Sequence, residues 1–109
     1  MQLYHTTDAQ GITEINPSEA RMRELLDELD DLEPDEAEHP DVSLIHDGSG
    51  WILTVYQRGI ISLENLEDSD ESPRYQKGIN RQTALQLWLT LSEGDIATLK
   101  QRDWQRDKA

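Results

Sequence analysis

Apolar residues along this chain follow two periods, and these divide it into helical and extended stretches. Met22, Leu25, Leu26 and Leu29 stand at i, i+3, i+4 and i+7, and Leu32 continues the stripe. That spacing predicts an amphipathic helix with one narrow apolar face. Asn16-Pro17-Ser18-Glu19 reads as its start, with Asn16 as N-cap and Pro17 at the first helical position, and Pro34 closes it. The middle of the chain switches to a period of two. Val42–His46, Trp51–Tyr56 and Ile60–Glu64 are separated by Asp47-Gly48-Ser49-Gly50 and by Gln57-Arg58-Gly59. Three such runs joined by short glycine-containing turns predict a three-stranded antiparallel meander. Alternation puts Val42, Leu44, Trp51, Leu53, Val55, Ile61 and Leu63 on one face. Ser43, Ile45, Ile52, Thr54, Tyr56 and Ile60 fall on the other.

The carboxyl-terminal third returns to helical spacing. Asn80 can cap a helix carrying Ala84, Leu85, Leu87, Trp88 and Leu91, and Ser92-Glu93-Gly94-Asp95 breaks it and can start another, with Ser92 as cap. Ile96, Leu99 and Trp104 hold that last helix down. The segment from Gln2 to Ile15 reads as a short strand or extended arm with a turn at Gly11. The expected architecture is one α+β domain over residues 1–109: an N-terminal amphipathic helix, a three-stranded meander, and two C-terminal helices packed on one sheet face. Residues 33–41 and 64–73 are expected to be acidic loops.

Composition sharpens this picture. The chain has 109 residues, only 35% of them hydrophobic, and no Phe. The expected core is therefore thin, with tryptophan and tyrosine as its only aromatic bulk. Without cysteine there is no disulfide framework and no thiol chemistry. The start of the chain does not read as a signal peptide and no run is apolar enough to span a bilayer, so a cytoplasmic location is expected.

Charge is the strongest compositional signal. The formal net charge is −13. Residues 1–40 carry twelve acidic against two basic side chains, residues 41–72 seven against one, and residues 73–109 four against seven. Such a balance repels nucleic-acid backbones and anionic membranes and attracts basic proteins. On the first helix, Glu24, Asp27, Glu28 and Asp31 share one face at i, i+3, i+4 and i+7. Like charges at that spacing cost about 0.2–0.5 kcal/mol per pair. This face is a candidate contact for a basic partner; a purely solvated, solubilising face is the alternative. The second sheet face, with Ile45, Ile52 and Tyr56, is too apolar to be plainly solvated and is a second candidate contact, to a partner or to a copy of the same chain as a homodimer.

Candidates for chemistry are few. His39 lies among Asp35, Glu36, Glu38 and Asp41, but neither the calcium-loop pattern nor a histidine pair at i, i+4 is present, so no metal or other cofactor is expected. Ser43, His46 and Asp47 contain the letters of a triad on one strand and its turn, where Ser43 and His46 point to opposite sides of the sheet. No phosphate loop, dinucleotide fingerprint or nucleophile elbow occurs, and an enzyme is not expected. Arg74, Tyr75, Lys77 and Arg81 form a basic and aromatic group that can hold an anion or balance the acidic half of the molecule. In size, charge and α+β plan the chain is similar to small acidic bacterial proteins that neutralise a basic partner, such as toxin immunity proteins. That resemblance in character implies a non-catalytic interaction module; a self-associating structural domain is the alternative, with a small-ligand- or cation-binding protein or an enzyme ranked behind both.

Overall fold

A computed structural model describes residues 3–8, 11–31, 41–56, 59–67, 73–102 and 104–106. In chain order the elements are β1 (Tyr4–Thr7), β2 (Thr13–Ile15), α1 (Glu19–Asp31), β3 (Asp41–His46), β4 (Trp51–Tyr56), β5 (Ile61–Asn65), β6 (Arg74–Gln76), α2 (Arg81–Ser92), α3 (Ile96–Lys100) and β7 (Gln105–Arg106). The strands form one antiparallel sheet in the order β2-β1-β3-β4-β5-β6-β7. The fold is α+β, with the helices packed against one face of the sheet.

Alternation sorts the central strands cleanly. Val42, Leu44, Trp51, Leu53, Val55, Ile61 and Leu63 are buried. They join Met22, Leu25, Leu26 and Leu29 of α1, Ala84, Leu85, Leu87, Trp88 and Leu91 of α2, and Leu99 of α3 in one core. Trp88 is fully buried and donates its indole N–H to the carbonyl of Leu53 at 3.1 Å. A buried indole needs such an acceptor, so this bond fixes where α2 sits over β4.

The architecture departs from the sequence expectation in two respects. Among the described residues the sheet has seven strands rather than three, and the short strand or arm expected over Gln2–Ile15 is a full β1–β2 hairpin paired into the sheet, so the helix is not the first element. The outer strands Tyr-His-Thr-Thr, Thr-Glu-Ile, Arg-Tyr-Gln and Gln-Arg are short and polar. Their extended form comes from pairing with a neighbour, which no local alternation announces.

Two helix caps also differ. Asn16 adopts φ +47°, and its side-chain oxygen accepts the N–H of Tyr4 at 2.9 Å, while its own N–H donates to the Tyr4 carbonyl. It therefore ties β1 to the chain beyond β2, and Ser18 caps α1, its hydroxyl accepting the N–H of Arg21. Asp95 rather than Ser92 caps α3, accepting the N–H of Thr98; Ser92 is buried in the last turn of α2 and donates to the Leu89 carbonyl. Asn80 caps α2 as its position suggests. Leu32, Pro34, residues 33–40 of the first acidic loop and residues 68–72 of the second lie outside the described residues. Asp41, Glu64 and Asn65, expected in those loops or at their edges, are strand residues.

Replacing Leu53, which has no exposed surface, with alanine should cost about 2–5 kcal/mol, read as a lowered denaturant midpoint at unchanged slope. Asn16→Gly keeps the positive φ but removes the acceptor for Tyr4. Asn16→Ala removes the acceptor and strains the backbone, and its denaturation midpoint should fall further.

Candidate functional site

The face of the sheet turned away from the helices carries three rows of side chains, each running across the strands. The first is Ile15, His5, Ile45, Ile52 and Glu64, which are successive partners in register. The second is a line of hydroxyls, Thr13, Thr7, Ser43, Thr54, Ser62 and Tyr75, ending at Gln105. The third pairs Asp41 with Tyr56. Ile45, Ile52, Thr54, Tyr56 and Tyr75 are half-exposed and Ile15 is 74% exposed. Leu3 and Leu66, exposed at 52% and 60%, continue β1 and β5 at one end of the sheet. Both are tied there through the backbone: the Leu3 carbonyl accepts the N–H of Asp47, and the Leu66 N–H donates to the Gly50 carbonyl. Ser62 is nine-tenths buried in this face, and its hydroxyl has no hydrogen-bond partner.

His5 and Asp47 meet on the same face. The imidazole Nδ1 lies 3.0 Å from one carboxylate oxygen and 3.1 Å from the other, linking β1 to the turn after β3. Asp47 is thereby engaged away from His46. His46 is buried on the core side, with its Nδ1 2.8 Å from the Ser49 hydroxyl, while Ser43 stands on the opposite face. Sequence reasoning missed the His5–Asp47 pair because the partners are 42 residues apart and no local pattern joins them.

The acidic helix is less uniform than its spacing suggests. Arg21 donates its Nε–H to Glu14 at 2.8 Å and an Nη1–H to Glu24 at 3.2 Å, and its Nη1 lies 3.6 Å from Glu28. Arg23 pairs with Glu19 at 3.1 Å. Of the four acidic candidates, Glu24 and Glu28 therefore share one guanidinium, and Asp27 lines a cleft between α1 and α2. The side chain of Asp31 lies outside the described residues, as does the acidic cluster around His39. The hydrogen bond that Arg21 donates to Glu14 chiefly raises the pKa of Arg21; its partial burial opposes this, and the charge of Glu14 and the contacts with Glu24 and Glu28 add to the rise. A raised pKa on a cation gives stability that is complete at low pH and is lost only as pH climbs through the folded value. For arginine that lies far above the physiological range, so this contribution stays constant across it.

The basic group is dispersed. Arg74 is buried on the core side with its guanidinium carbon 5.5 Å from the centre of the Trp51 ring, and the Lys100 ammonium sits 4.9 Å from the same ring. Arg81 donates to the Tyr56 carbonyl at 3.3 Å, Tyr75 belongs to the hydroxyl row, and Lys77 is exposed. Among the described residues, no helix is long and apolar enough to cross a membrane.

Because its partners are a third to two-thirds exposed, Arg21→Gln should destabilise the protein by about 1 kcal/mol or less. The loss should shrink in 1 M NaCl, where the Debye length is about 3 Å, and thermal melts at two salt concentrations measure it.

Compared with family models, curated proteins and solved structures, the chain matches none of them.

Proposed function

We propose that this chain is a non-catalytic protein-interaction module that docks its partner on the uncovered sheet face. The observation that carries this reading is the apolar row Ile15, Ile45 and Ile52, left open beside Leu3 and Leu66 while the opposite face of the central strands β3, β4 and β5 is packed in the core. Asp41, Asp47 and Glu64 stand on or beside it in a chain of net charge −13. The partner is a protein surface with an apolar centre and lysine or arginine around it, because basic groups gain from this field. The same field opposes a face-to-face homodimer, which would bring carboxylates against carboxylates. The interaction belongs in the cytoplasm.

Size sets the expected strength. Strands of two to six residues, at ~4.8 Å spacing and ~3.3 Å per residue, present on the order of 500 Å² per partner in projection. That is the low end for specific complexes, so a transient, salt-sensitive association is expected. The acidic face of α1 is the weaker candidate, since Arg21 already partly neutralises Glu24 and Glu28.

An NMR titration with a peptide of alternating leucine and lysine tests the assignment. Shifts should centre on Ile15, Ile45, Ile52 and Tyr56 and fade as salt rises. Shifts confined to Glu24, Asp27 and Glu28 would move the contact to α1, and no shifts at all would overturn the reading. Light scattering decides the alternative: a dimer dispersed by Ile52→Glu would make the face a self-association surface.

A further inference from the structure

The sheet ends at β2, and the outer edge of this strand has a defined hydrogen-bonding pattern. The N–H of Asp8 donates to the Ile12 carbonyl at 3.0 Å, and the N–H of Asn16 donates to the Tyr4 carbonyl at 2.8 Å. Bonded pairs alternate along an antiparallel ladder, so Thr6 and Glu14, midway between these two, form the bonded pair between them. Ile12, Glu14 and Asn16 therefore turn their backbone groups toward β1. Thr13 and Ile15 turn theirs outward. Two N–H donors and two carbonyl acceptors line this edge, and among the described residues nothing bonds to them.

An edge of this kind is a template for another strand, and proteins usually block it with proline or lysine. Neither stands in Thr13-Glu14-Ile15. Thr13 is exposed, and Ile12 and Ile15, at 60% and 74%, are two of the four large hydrophobic side chains exposed among the described residues. Alternation places them on opposite faces of the edge, Ile15 with the open face and Ile12 with Glu14 on the side of α1. The other edge of the sheet, β7, is only two residues long and carries Arg106.

Charge selects the occupant. On the side of α1, carboxylate oxygens of Glu14, Glu24 and Glu28 lie 2.8, 3.2 and 3.6 Å from the one guanidinium of Arg21, which leaves two negative charges in excess beside the edge. Glu14 stands between the two outward-bonding positions, where the side chain directly opposite on an added strand approaches most closely. A lysine or arginine is favoured there. A second copy of this chain, paired symmetrically about the centre of β2, would set Glu14 against Glu14, and each molecule carries a net charge of −13. We infer that β2 takes up an extended basic segment of a partner protein as a further antiparallel strand, with apolar side chains beside Ile15 and a lysine or arginine opposite Glu14. This rests on the docking reading above for the partner's apolar and basic character, and adds the conformation in which the partner binds.

The test uses the peptide of alternating leucine and lysine on the intact protein, followed by NMR. With lysine opposite Glu14, its leucines lie opposite Thr13 and Ile15 and bond to the edge. N-methylation of the leucine amides should therefore abolish strand addition, whereas N-methylation of the lysine amides should preserve it. At about 90% occupancy, hydrogen exchange of the Thr13 and Ile15 amides should slow about tenfold. A peptide with glutamate in place of lysine should bind about tenfold more weakly. Thr13→Pro removes an outward donor and no bond to β1, a position where an edge strand tolerates proline, and should weaken the peptide about fivefold. Thermal melts establish that this variant is folded, and the N-methylated peptides carry the test on the unaltered chain. The inference is overturned if the two N-methylated peptides bind alike, if bound peptide leaves the Thr13 and Ile15 amides unprotected, if the glutamate peptide or folded Thr13→Pro binds as the parent pair does, or if Thr13→Pro disperses a dimer of the free protein, which makes a second copy the occupant. Shifts at Ile45 and Ile52 that persist with both N-methylated peptides overturn strand addition alone and leave face docking standing; no shifts anywhere overturn both.

Discussion

The indole of Trp88 holds the two layers of this protein in register. In a core without phenylalanine it is the largest fully buried side chain, and its only polar group must find an acceptor away from water. The Leu53 carbonyl supplies it from the central strand of the sheet. That contact sets which turn of α2 lies over β4, and so where Leu85, Leu87 and Leu91 meet the sheet. α1 packs in turn against α2 and β3. A one-residue slip of β4 would turn Leu53 and Val55 to the open side and bring Ile52 and Thr54 into the core. The identity of the open face therefore depends on the same packing.

Charge is organised around this core rather than spread evenly over it. The acidic amino-terminal half has Arg21 as a hub for Glu14, Glu24 and Glu28, which joins the β1–β2 hairpin to α1. The basic carboxyl-terminal third places Arg74 and Lys100 against Trp51. Trp51 is only 5% exposed, so these two cations cover the aromatic end of the core while facing the strand that carries it. Much of the opposite charge is thus used within the molecule, and on the uncovered face Asp47 is itself paired with His5.

The proposed contact face follows from this arrangement. A half-apolar sheet face suits a broad protein surface, and it is built by strands distant in sequence, β1 beside β3.

What the sequence by itself determined is the part governed by local periodicity. The i, i+3, i+4 stripe of α1, the alternation from Val42 to Leu63 and the Asn80 cap each depend on residues within one element, where spacing dictates which side chains share a face. The half-exposed positions of Ile45, Ile52 and Tyr56 were legible for the same reason. Only the tertiary structure decided the rest. β1, β2, β6 and β7 become strands because neighbours supply their hydrogen bonds, and Asn16 becomes a left-handed tie to Tyr4 rather than a cap because β1 lies beside it. Arg21 reaches Glu24 and Glu28 at helical spacing, but the pairings of His5 with Asp47 and of Arg21 with Glu14 join residues that no sequence period relates. Contacts of that kind are set by the packing of whole elements, because burial of the shared core selects the register and the side-chain neighbours follow from it.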